Sequence, residues 1–124
     1  MDRQKILLVD DEDDIIKMNM LRLIESNYEV ISAADGTEAL EKAEKETPDL
    51  ILLDVVMSGM DGLATLARLK DSPATSSIPV IMLSGVGDRS AWNKAKLSGA
   101  ADFIAKPFNG EMLLEAIKKH LSKK

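Results

Sequence analysis

"LILLD", residues 50–54, is four apolar positions followed at once by a carboxylate. No side of that run is polar, so it suits a central strand covered on both faces, the habit of parallel sheets. Three other stretches share the form: "ILLVDD" at 6–11, "VIMLS" at 80–84 and "DFIAK" at 102–106. Each is a short apolar run that ends on residues with chemistry to offer: Asp10 and Asp11, Asp54, Ser84, Lys106. If these runs are parallel strands of one sheet, their carboxyl ends share an edge, and the crevice along it is where such sheets hold ligands.

Working outward, apolar runs alternate five times with segments of helical period, and no linker or low-complexity stretch interrupts them. That alternation predicts an α/β fold, a doubly wound five-stranded parallel sheet with crossover helices, filling residues 1–124 as one domain. Strands are expected at Ile6–Val9, Glu29–Ser32, Leu50–Leu53, Val80–Leu83 and Ala101–Ala105. The more polar Glu29–Ser32 reads as an edge strand. Helices are expected over 13–26, 37–46, 62–71, 88–98 and 110–122. Asn27 suits a left-handed cap after the first helix, Gly36 opens the loop into the second and Pro48 stops it. Pro79 stands at the start of strand 4 and Gly99 ends helix 4.

Composition narrows the function classes. A chain of 124 residues is one domain's worth, large enough for a core without staples. It has no cysteine, hence neither a disulfide nor a thiolate metal site. The start "MDRQKILLVDD" turns acidic before any signal-peptide apolar stretch could form, and no run approaches membrane-spanning length, so a soluble cytoplasmic protein without membrane contact is expected. A net charge of -5 argues against direct nucleic-acid binding, which needs clustered Lys and Arg. The lysines at 118, 119, 123 and 124 read as a solvated helix end complementing its own dipole.

Asp10, Asp11 and Asp54 would meet at the shared edge with a hydroxyl and an ammonium beside them. Crowded anions destabilise one another unless a cation neutralises them, and oxygen ligands with no His or Cys nearby select a hard divalent ion such as Mg²⁺. Asp54 is the expected nucleophile, an ionised carboxylate at a strand end that attacks phosphorus to form an acyl phosphate. Glu12, Asp13 and Asp14 read as acids at a helix N-terminus.

"ILLVDDE", "LILLDVVMSGMDG", "VIMLSG" and "FIAKPF" occur in that order, and together they resemble the receiver domain of bacterial two-component response regulators over essentially the whole chain. The resemblance implies a flavodoxin-like (βα)5 fold with strand order 2-1-3-4-5. It implies direct Mg²⁺ ligation by Asp11 and Asp54, a third oxygen from the backbone carbonyl of Val56, and Asp10 acting through water. It makes Asp54 the phosphoacceptor, Lys106 its charge partner, and Ser84 with Phe103 a relay in which the hydroxyl moves to the phosphoryl group and the aromatic ring swings into the space it leaves. A cis peptide before Pro107 is implied too. The phosphoryl donor would be a sensor histidine kinase or a histidine phosphotransfer protein. The output would pass to a downstream protein through the face of helix 4, strand 5 and helix 5. Such a chain is a switch and not an enzyme, catalysing only its own phosphoryl transfer and slow self-dephosphorylation. With Lys124 as the last residue, a single-domain regulator or an excised receiver is expected.

Some residues depart from that pattern. Ser58 replaces a common proline, and Gly85 with Gly87 makes the loop after strand 4 permissive. Trp92 falls beside the Ala91 and Ala95 stripe, which suits either packing or a partner anchor. His120 reads as a helix-surface residue. Two other classes fit less well: a haloacid-dehalogenase-type hydrolase wants its nucleophile on the first strand with a second Asp two residues on, where Asp54 has Val56, and a flavodoxin-like nucleotide binder wants a Ser, Thr or Gly cradle where this chain has "VDDEDD".

Overall fold

A computed structural model describes residues 3–10, 13–55, 61–85, 89–106 and 110–121, with the backbone alone at 13–16, 84, 85, 89, 91 and 106. Five strands and five helices alternate: β1 Lys5–Val9, α1 Asp13–Glu25, β2 Glu29–Ala33, α2 Gly36–Glu46, β3 Leu50–Asp54, α3 Gly62–Asp71, β4 Val80–Gly85, α4 Arg89–Leu97, β5 Asp102–Lys106 and α5 Gly110–Leu121. All strand pairs are parallel and the order is β2-β1-β3-β4-β5. The expected fold class and order both hold.

The apolar runs lie where unbroken hydrophobicity belongs. Every residue of β3 is buried, as is β1 from Ile6 onward, whereas edge strand β2 is only half covered. Alternate residues split the core in two. Leu7, Val9, Ile51, Leu53, Val80 and Met82 pack with Ala39 and Ala43 of α2, Leu66 and Leu69 of α3, and Ala95 of α4. Ile6, Leu8, Leu50, Leu52, Ile81 and Leu83 pack on the other face with Leu23 of α1 and with Leu113, Ile117 and Leu121 of α5. At roughly 1.5–3 kcal/mol per fully buried aliphatic side chain, these two clusters are the main force holding helices on both faces.

The punctuation is mostly as expected. Asn27 takes a left-handed conformation (φ 73°) and Gly99 another (φ 100°). Gly36 differs: it is the first, buried residue of α2, because Asp35 serves as the cap and accepts from the Glu38 N–H at 2.8 Å. Glu38 returns the bond by accepting from the Ala34 N–H at 2.8 Å, a reciprocal box one residue wider than the usual form. α2 ends on Thr47, left-handed at φ 43°, ahead of Pro48.

Candidate functional site

Parallel pairing brings the ends of β1, β3, β4 and β5 to one edge. Val9 stands opposite Leu53, so the residues that follow, Asp10 and Asp54, sit on adjacent strands. Asp54 pairs with Leu83 of β4, Ser84 with Ala105, and Gly85 with Lys106. Chain order reverses between β1 and β3, and a crevice opens at that kind of switch point. Asp10 is completely buried and Asp54 is 4% exposed. Ionised groups are seldom buried so fully unless something charged or strongly polar meets them.

The backbone around Asp54 is fixed from both sides. Beyond it the ladder continues, the Val55 N–H donating to Leu83 O at 2.9 Å, and Gly62 at the start of α3 donates back to Val55 O at 2.8 Å. α3 is nucleated there because Asp61 caps it, accepting from Ala64 N at 2.8 Å while Thr65 Oγ1 donates to Asp61 O at 2.9 Å. Gly62 is required by space: a Cβ at that position would lie 2.0 Å from Asp54 O and 2.7 Å from Val55 Cα. On the other side, Asp10 N donates to Ala33 O at 3.1 Å, which extends the β1 and β2 pairing to the site.

Asp10 and Asp54 are therefore brought together as expected, and the backbones of Ser84 and Lys106 reach the same edge. The side chains of Ser84 and Lys106, together with Asp11, Val56, Ser58, Gly87 and Pro107, lie outside the described residues. Among the described residues no three His, Cys, Asp or Glu groups gather as a metal cage. The donor set nonetheless fits a hard cation: two buried carboxylates on neighbouring strand ends, oxygen ligands of the kind such an ion prefers.

Phe103 is half-buried, packed against the core face that carries Met82, its register partner, and Ala95. Its ring lies 5.0 Å from that of Trp92, tilted by 44°, and Lys96 Nζ sits 6.0 Å from the Trp92 ring centroid. His120 corrects an expectation. It is not a surface residue: its side chain is 10% exposed and Nε2 lies 3.0 Å from Asp102 Oδ2. Asp102 Oδ1 also accepts from the Phe103 N–H at 2.8 Å, so one carboxylate ties α5 to the start of β5. Sequence reasoning missed this pair because its members are 18 positions apart and only the fold brings them together.

A second feature missed is the outer face of α1, where Met18, Leu21 and Ile24 are 70%, 64% and 46% exposed. Apolar residues left outside an amphipathic helix at this spacing are a signal that a helical-wheel count would have found. A cavity of about 370 Å³ lined by Gln4, Tyr28, Lys118 and Leu121 opens at the opposite end of the sheet. Burial there pushes the Tyr28 phenol up from its ordinary value. Among the described residues no helix is long and apolar enough to cross a membrane.

Known proteins match this architecture. The sequence matches the response regulator receiver domain over residues 6–118. The chain belongs to the response regulator receiver family. It is 39% identical over 119 residues to the chemotaxis protein CheY of Bacillus subtilis, covering 95% of this chain and 98% of that protein. It is also 40% identical over 114 residues to the response regulator PleD of Caulobacter vibrioides, covering 92% of this chain but only 25% of PleD's length. The structure of chemotaxis protein CheY4 from Vibrio cholerae superposes with a TM-score of 0.91 at 35% identity, over 97% of this chain and all of that one. The receiver of a two-component response regulator is thus established for this chain.

Proposed function

We propose that this receiver is a phosphorylation switch in which the Asp54 carboxylate accepts a phosphoryl group. The observation that carries the reading is the burial of Asp10 and Asp54 side by side at the switch point of the sheet. One Asp54 oxygen attacks phosphorus, the new P–O bond forms as the donor's P–N or P–O bond breaks, and the leaving group departs on the opposite side. Asp10, Asp11, Asp54 and the Val56 carbonyl would hold Mg²⁺, which when bound supplies neutralising charge for the phosphoryl oxygens. Lys106, whose backbone ends β5 at the same edge, is proposed as the counter-charge. Gly62 and the α3 cap hold the Asp54 backbone still while this happens, which matters because phosphoryl transfer asks the protein mainly for position and charge.

The chain itself then makes and slowly loses the phosphoryl group, without acting on another substrate. Receivers of this family work with histidine kinases, so a kinase or histidine phosphotransfer protein is the proposed donor in the cytoplasm. The exposed Met18, Leu21 and Ile24 stripe lies on α1, the helix that follows β1, and suits an apolar helical face on that donor. Ser84 and Phe103 are proposed to relay phosphorylation to the face of α4, β5 and α5, where a downstream protein binds. The net charge of -5 supports a protein partner over nucleic acid.

The test is incubation with acetyl phosphate and Mg²⁺ followed by intact mass measurement. One added phosphate is expected, absent without Mg²⁺ and absent in Asp54→Asn. Equal labelling of that variant would remove Asp54 from the role.

A further inference from the structure

Among the described residues, α4 buries few side chains. It is nine residues long, and among its described side chains Ala95 alone is fully buried; Ser90, Asn93, Lys94, Lys96 and Leu97 are exposed. Leu97 is 89% exposed. α4 also packs against α3, and Trp92, half-buried, sets its indole against Phe103 of the edge strand β5 with centroids 5.0 Å apart. Lys96, one turn on, places its ammonium over the outer side of the same indole. A large aromatic surface is therefore divided between the helix and the strand, and Ala95 contributes little area to compete with it.

Resting on the phosphoacceptor reading above, we infer that Trp92 is a positioning residue: its indole seats the Phe103 ring in the unphosphorylated arrangement and transmits departure of that ring to α4. Phe103 is held from behind as well, because Asp102 Oδ1 fixes its N–H and Asp102 Oδ2 is bound to His120. Those bonds fix the β5 backbone and leave the ring held by packing alone. When the ring leaves, α4 loses its aromatic contact with β5. An aromatic pair of this geometry is worth about 0.5–1.5 kcal/mol beyond the area it buries. Removing it should shift the balance toward the phosphorylated arrangement by about two- to tenfold, and the apparent affinity for anything selecting that arrangement rises by the same factor.

The experiment titrates the chain with beryllofluoride, a phosphoryl-shaped anion that binds carboxylates, in the presence of Mg²⁺, following ¹H–¹⁵N spectra. Wild type, Trp92→Ala, Trp92→Phe, Phe103→Ala and the Trp92→Ala/Phe103→Ala double variant are compared. Tighter binding by about two- to tenfold is expected for Trp92→Ala, with Trp92→Phe within about twofold of wild type because it keeps an aromatic seat. In the Phe103→Ala background the Trp92→Ala change should have no further effect, an outcome that general loosening of α4 would not produce. If Trp92→Ala does not fold, Trp92→Leu takes its place. Saturable binding by wild type with no tightening in the alanine or leucine variant overturns the inference alone, as does an undiminished effect in the Phe103→Ala background. No saturable binding by wild type, or equal binding by Asp54→Asn, overturns the phosphoacceptor reading and this inference with it.

Discussion

Gly62→Ala is the substitution that most directly asks whether α3 braces the Asp54 backbone. The added Cβ would stand 2.0 Å from Asp54 O, 2.7 Å from Val55 Cα and 2.9 Å from Asp54 C, where ordinary contact begins at 3.4 Å. All three are backbone atoms at the buried end of β3 and the residue just after it, so no side-chain rotation relieves the overlap. The ladder bond from Val55 N to Leu83 O at 2.9 Å holds that strand down. Relief must come from α3 backing away, which stretches the bond from Gly62 N to Val55 O and disturbs the Asp61 cap. Overpacking costs about 1–3 kcal/mol and a lost hydrogen bond about 0.5–1.5 kcal/mol, while the better helix propensity of Ala returns at most about 1 kcal/mol. The net is a loss of about 0.5–3.5 kcal/mol, centred near 2 kcal/mol.

Urea denaturation of wild type and Gly62→Ala measures it, with Gly99→Ala as the comparison. Gly99 also has positive φ, but its added Cβ would meet only the flexible Lys70 side chain, at 3.3 Å, so a loss of about 1 kcal/mol is expected from the backbone strain alone. The two should separate further in function. Gly62→Ala displaces the nucleophile and should slow phosphorylation by acetyl phosphate by up to about a hundredfold, whereas Gly99→Ala should leave the rate within about twofold. A Gly62→Ala protein within about 0.5 kcal/mol of wild type, phosphorylating at the wild-type rate, would show that α3 does not brace Asp54.

Other outcomes follow from the same geometry. Asp10→Asn relieves two carboxylates buried on neighbouring strand ends and should raise the metal-free Tm by roughly 4 °C, about 1 kcal/mol for a domain of this size, while the rise that Mg²⁺ gives wild type by mass action shrinks; an unchanged Mg²⁺ response by scanning calorimetry would move the metal elsewhere. Glu38 is held below its ordinary value first by the Ala34 N–H and then by Lys42, so its contribution is present above about 4.5, the ordinary value, and is lost as pH falls through the lowered one. Glu38→Gln, which gives up the Lys42 pair at 3.0 Å, should lower Tm by roughly 2 °C near neutrality, and the gap should close on acidification; a gap that persists at pH 3 would assign the effect to something uncharged. His120→Ala should cost about 1–2 kcal/mol through the lost bond to Asp102 and lost packing, with faster amide exchange confined to β5 and the last turn of α5, and exchange unchanged there would make the pair incidental.

What the sequence disclosed and what it withheld divide along a physical line. Leu50–Leu53 could be read because a central parallel strand demands apolar residues on both faces, a condition written in consecutive letters. Asp10 and Asp54 could be read because parallel pairing turns "the residue after the run" into "the residue at the edge", so four separate local patterns report one place. His120 could not, since a histidine on the last turn of an amphipathic helix looks solvated until the register of β5 sets Asp102 beneath it. Gly36 reads as loop because its backbone is free, whereas Asp35 and Glu38 satisfy the orphan N–H groups and make it the first residue of α2. Trp92 is the sharpest instance. Its spacing left packing and partner anchoring equally open, and only the crossing of α4 over the edge strand shows that its neighbour is Phe103, the residue the family pattern marks as the moving part. A local rule finds what one strand or helix needs for itself. The coupling between a phosphoryl group on β3 and a helix two strands away depends on contacts that no single segment needs, and those become visible when the sheet is assembled.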